Sequence, residues 1–234
     1  MANPHQALYD EAKAMVFLTG AGVSTASGIP DFRSANGLYQ QNQRAEYYLS
    51  HQYFATDPAG FYDYCQQNLY FPDAKPNVIH QKQAALTQQD RATVITQNID
   101  NLYELAETKH LIDFHGNLYD LYCVKCHQKV SLVDYQTSRI HSSDGGEIRP
   151  NIVLYDEPID SQNVQKSVAA MQQADLVVIV GTSMRVYPFA GLLDYVNPRA
   201  KVIAVNQEPL QLPIAFEMVT TDASQYFKEL KINA

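Results

Sequence analysis

The feature that most narrows the fold is a set of near-continuous Val/Ile/Leu runs, each ending in glycine or in polar side chains. Met15–Thr19 runs into Gly20-Ala21-Gly22, and Ala92–Thr96 into Gln97-Asn98-Ile99-Asp100. Residues 111–114 run into His115-Gly116, Leu176–Val180 into Gly181-Thr182-Ser183, and 202–205 into Asn206-Gln207-Glu208. Strands with no alternating polar face are buried on both sides, as in parallel sheets. Helical stretches at 77–88, 102–107 and 164–173 separate several of them. The pattern predicts an α/β fold, a Rossmann-like parallel sheet with helices on both faces. In such a sheet all carboxyl ends lie along one edge, where ligands bind. Polar turns end strands in any protein, but amide, hydroxyl, carboxylate and imidazole groups recurring at these tips make that edge the expected active site.

Two stretches interrupt the pattern. Residues 34–75 are rich in Tyr, Gln and Asn and predict a small helical module, while 117–152 carry a Cys pair and a Gly-Gly turn. The expected organisation is a larger part, about 1–33, 76–116 and 153–234, with a smaller domain made from the two insertions, 34–75 and 117–152. At 234 residues and 46% hydrophobic, the chain can bury a sizeable core. A net charge of −8 argues against a duplex-DNA partner and suits small molecules or basic, lysine-bearing partners. No basic leader precedes the short apolar run at 14–18, and three cysteines make no disulfide framework. A cytoplasmic monomer that contacts neither membrane nor nucleic acid is expected.

Gly20-Ala21-Gly22 after a strand would let backbone N–H groups approach a pyrophosphate, with the next helix's N-terminus adding partial positive charge. The next glycine, Gly28, does not meet the GxGxxG spacing of dehydrogenases. Alone, the loop is a weak signal. Beyond it, Asp31, Phe32 and Arg33 offer a carboxylate, an aromatic face and a guanidinium; core packing and a surface ion pair are the plainer readings of these side chains.

The stretches GAGVSTASGIPDFR (20–33), TQNID (96–100), FHG (114–116), RPNIVLYDE (149–157), GTSMRVYP (181–188) and VNQE (205–208) resemble, in order, those of the sirtuin family of NAD-dependent protein deacylases. The resemblance implies NAD contacts at Gly20, Ala21, Gly22, Thr25, Asp31, Phe32 and Arg33. It places the nicotinamide ribose on Gln97 and Asn98, and the nicotinamide carboxamide in a pocket lined by Ile99 and Asp100. Gly181, Thr182, Ser183 and Asn206 would hold the adenosine side, with Asp222 a further candidate. His115 matches the catalytic histidine, assisted by Asn98, and Val153 and Tyr155 fall where a substrate peptide adds as a strand. In that chemistry the acyl-lysine oxygen attacks the ribose as nicotinamide leaves. His115 then acts as general base on a ribose hydroxyl, giving O-acyl-ADP-ribose and free lysine. Mono-ADP-ribosyl transfer to protein and a non-catalytic NAD-sensing module are the alternatives.

The sequence departs from the family pattern in three places. The family's structural zinc uses two Cys-x-x-Cys pairs; Cys123 and Cys126 form the first, but His141-Ser142-Ser143-Asp144 replaces the second. Either His141 and Asp144 serve as the remaining ligands, with His127 a competing donor, or the metal is lost; the expectation leans towards no tightly held zinc. Relatives that remove succinyl or malonyl groups carry Tyr-x-x-Arg, whereas this chain has Tyr62-Asp63-Tyr64-Cys65. With no cation at Cys65, acetyl or apolar acyl chains are favoured. Finally, Asp156 occupies a position that is commonly glycine in the family, which implies an altered peptide preference.

Overall fold

The computed structural model describes residues 3–31 and 45–232. Its larger sheet has six parallel strands, in the order β3-β2-β1-β7-β8-β9. These are β1 Met15–Thr19, β2 Ala92–Thr96, β3 Leu111–Asp113, β7 Leu176–Val180, β8 Lys201–Asn206 and β9 Glu217–Thr220. Between β3 and β7 in sequence, β4 Gly116–Cys123, β5 Lys129–Val130 and β6 Ile148–Ile152 form a separate three-stranded antiparallel sheet in the order β5-β4-β6.

Alternate side chains of each parallel strand point to opposite faces, and both faces are covered. On one side Met15, Phe17, Val94, Val178 and Ile203 pack with Tyr9, Ile79, Leu86, Tyr226 and Phe227. Those partners come from helices Gln6–Glu11, Val78–Gln88 and Ala223–Glu229. On the other side Val16, Leu18, Ile95, Val177 and Ile179 meet Met171, Phe189, Leu192 and Leu193, from helix Ser161–Gln173 and the 3-10 segment Phe189–Tyr195. Double-sided burial explains why the strands read as unbroken apolar runs.

Register fixes where the strands end. Thr19 pairs with Thr96 on one side and with Val180 on the other, Thr96 with Asp113, and Val180 with Val205. The tips are therefore level. Strand order also reverses beside β1, where β2 and β3 lie on one flank and β7, β8 and β9 on the other, and the crevice of such a sheet forms at that point.

Three strands carry the bounds expected from sequence, and the differences elsewhere have local causes. The helix expected at 77–88 begins at Val78, because Asn77 caps it by accepting from the Ile79 N–H and sharing a capping box with His80. The helix expected at 102–107 stops at Leu105, and Glu107 takes a left-handed φ of 58°. The helix expected from 164 starts at Ser161, since Asp160 accepts from the N–H groups of Gln162 and Asn163. Strand β9 escaped the sequence reading: it is a half-exposed edge strand, too short to show a period.

Beside the antiparallel sheet, Phe61, Tyr64, Cys65 and Leu69 of helix Pro58–Asn68 pack on Leu118, Ile152 and Leu154. Arg149, only 6% exposed, ties this region together. Its guanidinium donates to both carboxylate oxygens of Glu157, at 2.8 and 3.0 Å, and to the Ile152 carbonyl, and it lies over the Phe54 ring. Glu157 also accepts from the Leu154 N–H and pairs with His51. Although burial opposes ionisation of Glu157, these partners prevail and hold its pKa down at about 2. A carboxylate depressed in the folded state stabilises above its unfolded pKa, and the contribution fades as pH falls towards the folded value. Glu157→Gln, which leaves Arg149 without its counter-charge, is expected to cost about 1–3 kcal/mol at pH 7 in urea unfolding. The gap to the unmodified protein should narrow as pH drops from 5 towards 2; a gap that does not change with pH would refute the assignment.

Candidate active site

At the level strand tips, the loop after β1 and the loop after β7 are in backbone contact. The Gly22 N–H donates to the Gly181 carbonyl at 2.9 Å. A Cβ on Gly22 would sit 2.8 Å from the Gly181 Cα, and one on Gly181, where φ is +59°, would sit 2.6 Å from the Val23 nitrogen. Only glycine permits this approach. The contact also revises the reading of the glycine loop. The N–H groups of Gly20 and Gly22 are spent on Val180 and Gly181, so within Gly20-Ala21-Gly22 the unpaired amide is that of Ala21. Nor does an α-helix follow: the chain makes two 3-10 turns, Ala21–Val23 and Thr25–Ser27, with Thr25 Oγ1 donating to the Gly22 carbonyl. Positive charge from a helix terminus is therefore not available here. Asp31 ends the described part of this segment, and Phe32 and Arg33 lie outside the described residues.

The loop after β2 is held from three directions. The Gln97 N–H continues the sheet to the Thr19 carbonyl, and Gln97 Nε2 donates to Thr182 Oγ1 at 2.7 Å. Asn98 is buried; its N–H donates to Thr96 Oγ1, and its Nδ2 donates to Ser24 Oγ at 3.0 Å. Ser24 Oγ in turn donates to Asp100 Oδ2 at 2.5 Å, and Asp100 Oδ1 accepts from the Leu102 N–H. Burial pushes the Asp100 carboxyl up from its ordinary value, against the lowering effect of these hydrogen bonds. From the far side, the Leu118 N–H of β4 donates to the Ile99 carbonyl.

His115, after β3, faces this loop. Its Nδ1 lies 3.2 Å from the Gln97 carbonyl, which can only accept, so Nδ1 carries the hydrogen and Nε2 keeps its lone pair. Burial lowers its pKa, with the Gln97 hydrogen bond opposing, and Phe114 and Phe189 lie near the ring. The His115 carbonyl accepts from the Val153 N–H. Tyr155, expected to pair with a peptide, has both main-chain groups engaged within the protein: its N–H donates to Leu49, and its carbonyl accepts from His51. Among the described residues, the unpaired backbone near His115 is the Val153 carbonyl and the main chain of Asp156.

On the other flank, Thr182 is buried with Oγ1 also accepting from the Met184 N–H, and Ser183 follows it. Asn206 Nδ2 donates to the Glu208 carbonyl. Asp222 caps helix Ala223–Glu229 and accepts from Gln207 Nε2. A cavity of about 580 Å³ brings Asp222 and Lys228 beside Ala26 of the glycine loop. Farther away, one donor atom from each of Cys123, Cys126, His141 and Asp144 lies within 4.8 Å of all the others. His127 is not in that group; its ring stacks on Tyr122.

Sequence reasoning missed Ser24, which joins the two loops, and a carboxyl pair, Asp113 and Glu104, at the end of β3. The Asp113 side chain hydrogen-bonds Glu104, and Glu104 accepts from Asn117 Nδ2. Burial, then Glu104, and then the charges of Asp100 and Asp120 push the Asp113 pKa up to about 9. The folded protein thus keeps a proton that the unfolded chain releases near pH 4, so this group's contribution declines from about pH 4 to 9. Asp113→Asn should flatten that decline when urea midpoints are measured across the range; parallel profiles would rule out a protonated Asp113.

Comparison with known proteins agrees with this geometry. The Sir2 family model matches residues 20–188. An NAD-dependent protein deacetylase of Lactiplantibacillus plantarum is 61% identical over 97% of both chains. Among solved structures, a Sir2 with a p53 peptide and NAD+ has a TM-score of 0.83 at 34% identity, covering 95% of this chain and 93% of its own. A Sir2 with deacetylated p53 peptide and 3'-O-acetyl ADP ribose reaches a TM-score of 0.86 at 31% identity, covering 98% and 97%. The chain belongs to the Sir2 family.

Proposed function

We propose that the protein is an NAD-dependent protein-lysine deacetylase that moves the acyl group of a peptide lysine onto ADP-ribose and releases nicotinamide. The observation that carries this reading is the His115 Nδ1–H bond to the Gln97 carbonyl, which fixes the tautomer and leaves Nε2 as a base at the level of the strand tips. The residues fit NAD. A mouth that admits no Cβ at Gly22 or Gly181, a free Ala21 amide and the tethered amides of Gln97 and Asn98 suit a dinucleotide lying along the edge. When bound, NAD supplies the ribosyl carbon that accepts the acyl oxygen as nicotinamide departs.

The chain's own residues then have distinct tasks. Ser24, Asn98 and Asp100 hold the loop in place, with Asp100 accepting from both Ser24 Oγ and the Leu102 N–H. Burial around His115, Phe114 and Phe189 excludes water. His115 Nε2 takes a proton from a sugar hydroxyl. Because burial lowers its pKa, His115 is neutral and competent at pH 7. The two insertions act in this reading as a smaller domain, supported by the separate apolar clusters around Phe61 and around Tyr135. Acetyl selectivity is supported at Cys65, fully buried with its thiol pushed up to about 12 by burial, where no cation would meet an acyl carboxylate. Among the described residues, the cation beside Cys65 is Arg149, and it is committed to Glu157. No helix among the described residues is long and apolar enough to cross a membrane.

The Cys123, Cys126, His141 and Asp144 set fits a zinc ion. Its separations of 3.4 Å for Cys123 Sγ to Asp144 Oδ1, 3.5 Å for Cys126 Sγ to His141 Nδ1, and 3.0 Å for His141 Nδ1 to Asp144 Oδ1 approach tetrahedral edges. Such a metal would clamp β4 to the turn before β6 and take no part in the reaction. With two thiolates fewer than the family set, it would be held loosely.

Mass spectrometry of NAD reactions with acetyl- and succinyl-lysine peptides should show deacetylation with O-acetyl-ADP-ribose and no desuccinylation. In the same assay His115→Ala should lose at least about 100-fold in kcat with NAD affinity kept, and the acid limb of the native rate should fall below pH 6.5. Peptide-independent label on protein would favour ADP-ribosyl transfer, and binding without nicotinamide release a sensor. Separately, zinc should titrate to about one per chain, raise the melting temperature and leave on chelator dialysis; metal retained through the chelator would contradict the loose site.

A further inference from the structure

The turn that follows β6 holds a carboxylate unlike its neighbours. Leu154 to Glu157 close a tight turn, with the Glu157 N–H donating to the Leu154 carbonyl at 3.0 Å. Asp156 sits at the third position of that turn with φ at +71°. A left-handed backbone there is open to glycine, asparagine and aspartate and costly for most other side chains. Of the three carboxylates between 156 and 160, Glu157 is neutralised by Arg149 and His51, and Asp160 caps a helix. Asp156 is exposed and makes no hydrogen bond or ion pair among the described residues. An exposed carboxylate with no partner among the described residues is available to a ligand.

Its surroundings say which one. Two residues back, the Val153 N–H is bound to the carbonyl of His115, while the Val153 carbonyl and the main chain of Asp156 are unpaired. This short open edge beside the base is where an extended peptide can add by backbone hydrogen bonds. A peptide seated there brings side chains flanking its acyl-lysine within reach of the Asp156 carboxylate.

We infer that Asp156 selects acyl-lysine sites flanked by a second, unmodified lysine or an arginine. The inference rests on the deacetylase reading and gives it a substrate class: lysine-rich, basic segments rather than acidic ones. The acidic protein as a whole works in the same direction by drawing cationic partners towards it. An exposed ion pair at a rim is modest, so the preference conferred by Asp156 is about two- to five-fold in kcat/KM. It weakens as salt shortens the screening length.

The test uses acetyl-lysine peptides that differ only in Lys, Ala or Glu at each of the two positions on either side, assayed at low and at high salt. The intact protein should favour Lys over Glu at one or more positions, and high salt should compress the ratio. Asp156→Asn and Asp156→Gly, both suited to a positive φ, should bring the Lys and Glu peptides close together when each rate is expressed relative to the same variant's Ala peptide. Equal rates for Lys and Glu in the intact protein, or a ratio that survives both substitutions, would overturn the role of Asp156. Absence of nicotinamide release with every peptide would instead overturn the deacetylase reading, and the inference with it.

Discussion

The level ending of the parallel strands is the constraint on which the rest of this structure depends. Pairing of Thr19 with both Thr96 and Val180, and of these with Asp113 and Val205, brings residues far apart in sequence to one height. A shift of one residue in any of these pairings would also turn that strand's apolar side chains to the wrong face. Core burial and site geometry are therefore specified by one set of hydrogen bonds.

On that platform the site is assembled mostly by backbone. The Gly22–Gly181 contact brings two loops close enough to share a ligand, and the Gln97 amide and carbonyl reach Thr182 on one side and His115 on the other. Side chains contribute where a loop needs rigidity: Ser24 accepts from Asn98 and donates to Asp100, making one relay from the first loop to the second. The cost of the arrangement lies in buried acids. Asp100 and Asp113 both have raised pKa values because they lie out of water, a common condition next to reactive groups.

Much of this was legible in the sequence, for identifiable reasons. Double-sided burial leaves unbroken apolar runs, so β1, β2 and β7 could be read to the residue, and the motifs at their ends pointed to the candidate edge. What escaped depended on contacts between distant residues. The Glu104–Asp113 pair exists because a helix after one strand packs beside the end of another, and no spacing records that. The glycine loop shows the reverse: its composition suggests free amides above a helix terminus, but tertiary contacts consume two of those amides and replace the helix with 3-10 turns. Strand β9 was hidden by its exposed edge, and Asp160 by the polar first turn of the helix it caps.

The hydrogen bond from the Val153 N–H to the His115 carbonyl joins the proposed peptide edge to the backbone that carries the proposed base. In the proposed deacetylase, a peptide that seats badly on that edge would disturb the imidazole through this hydrogen bond, so poor sequences would be rejected by slow turnover after capture rather than by weak capture.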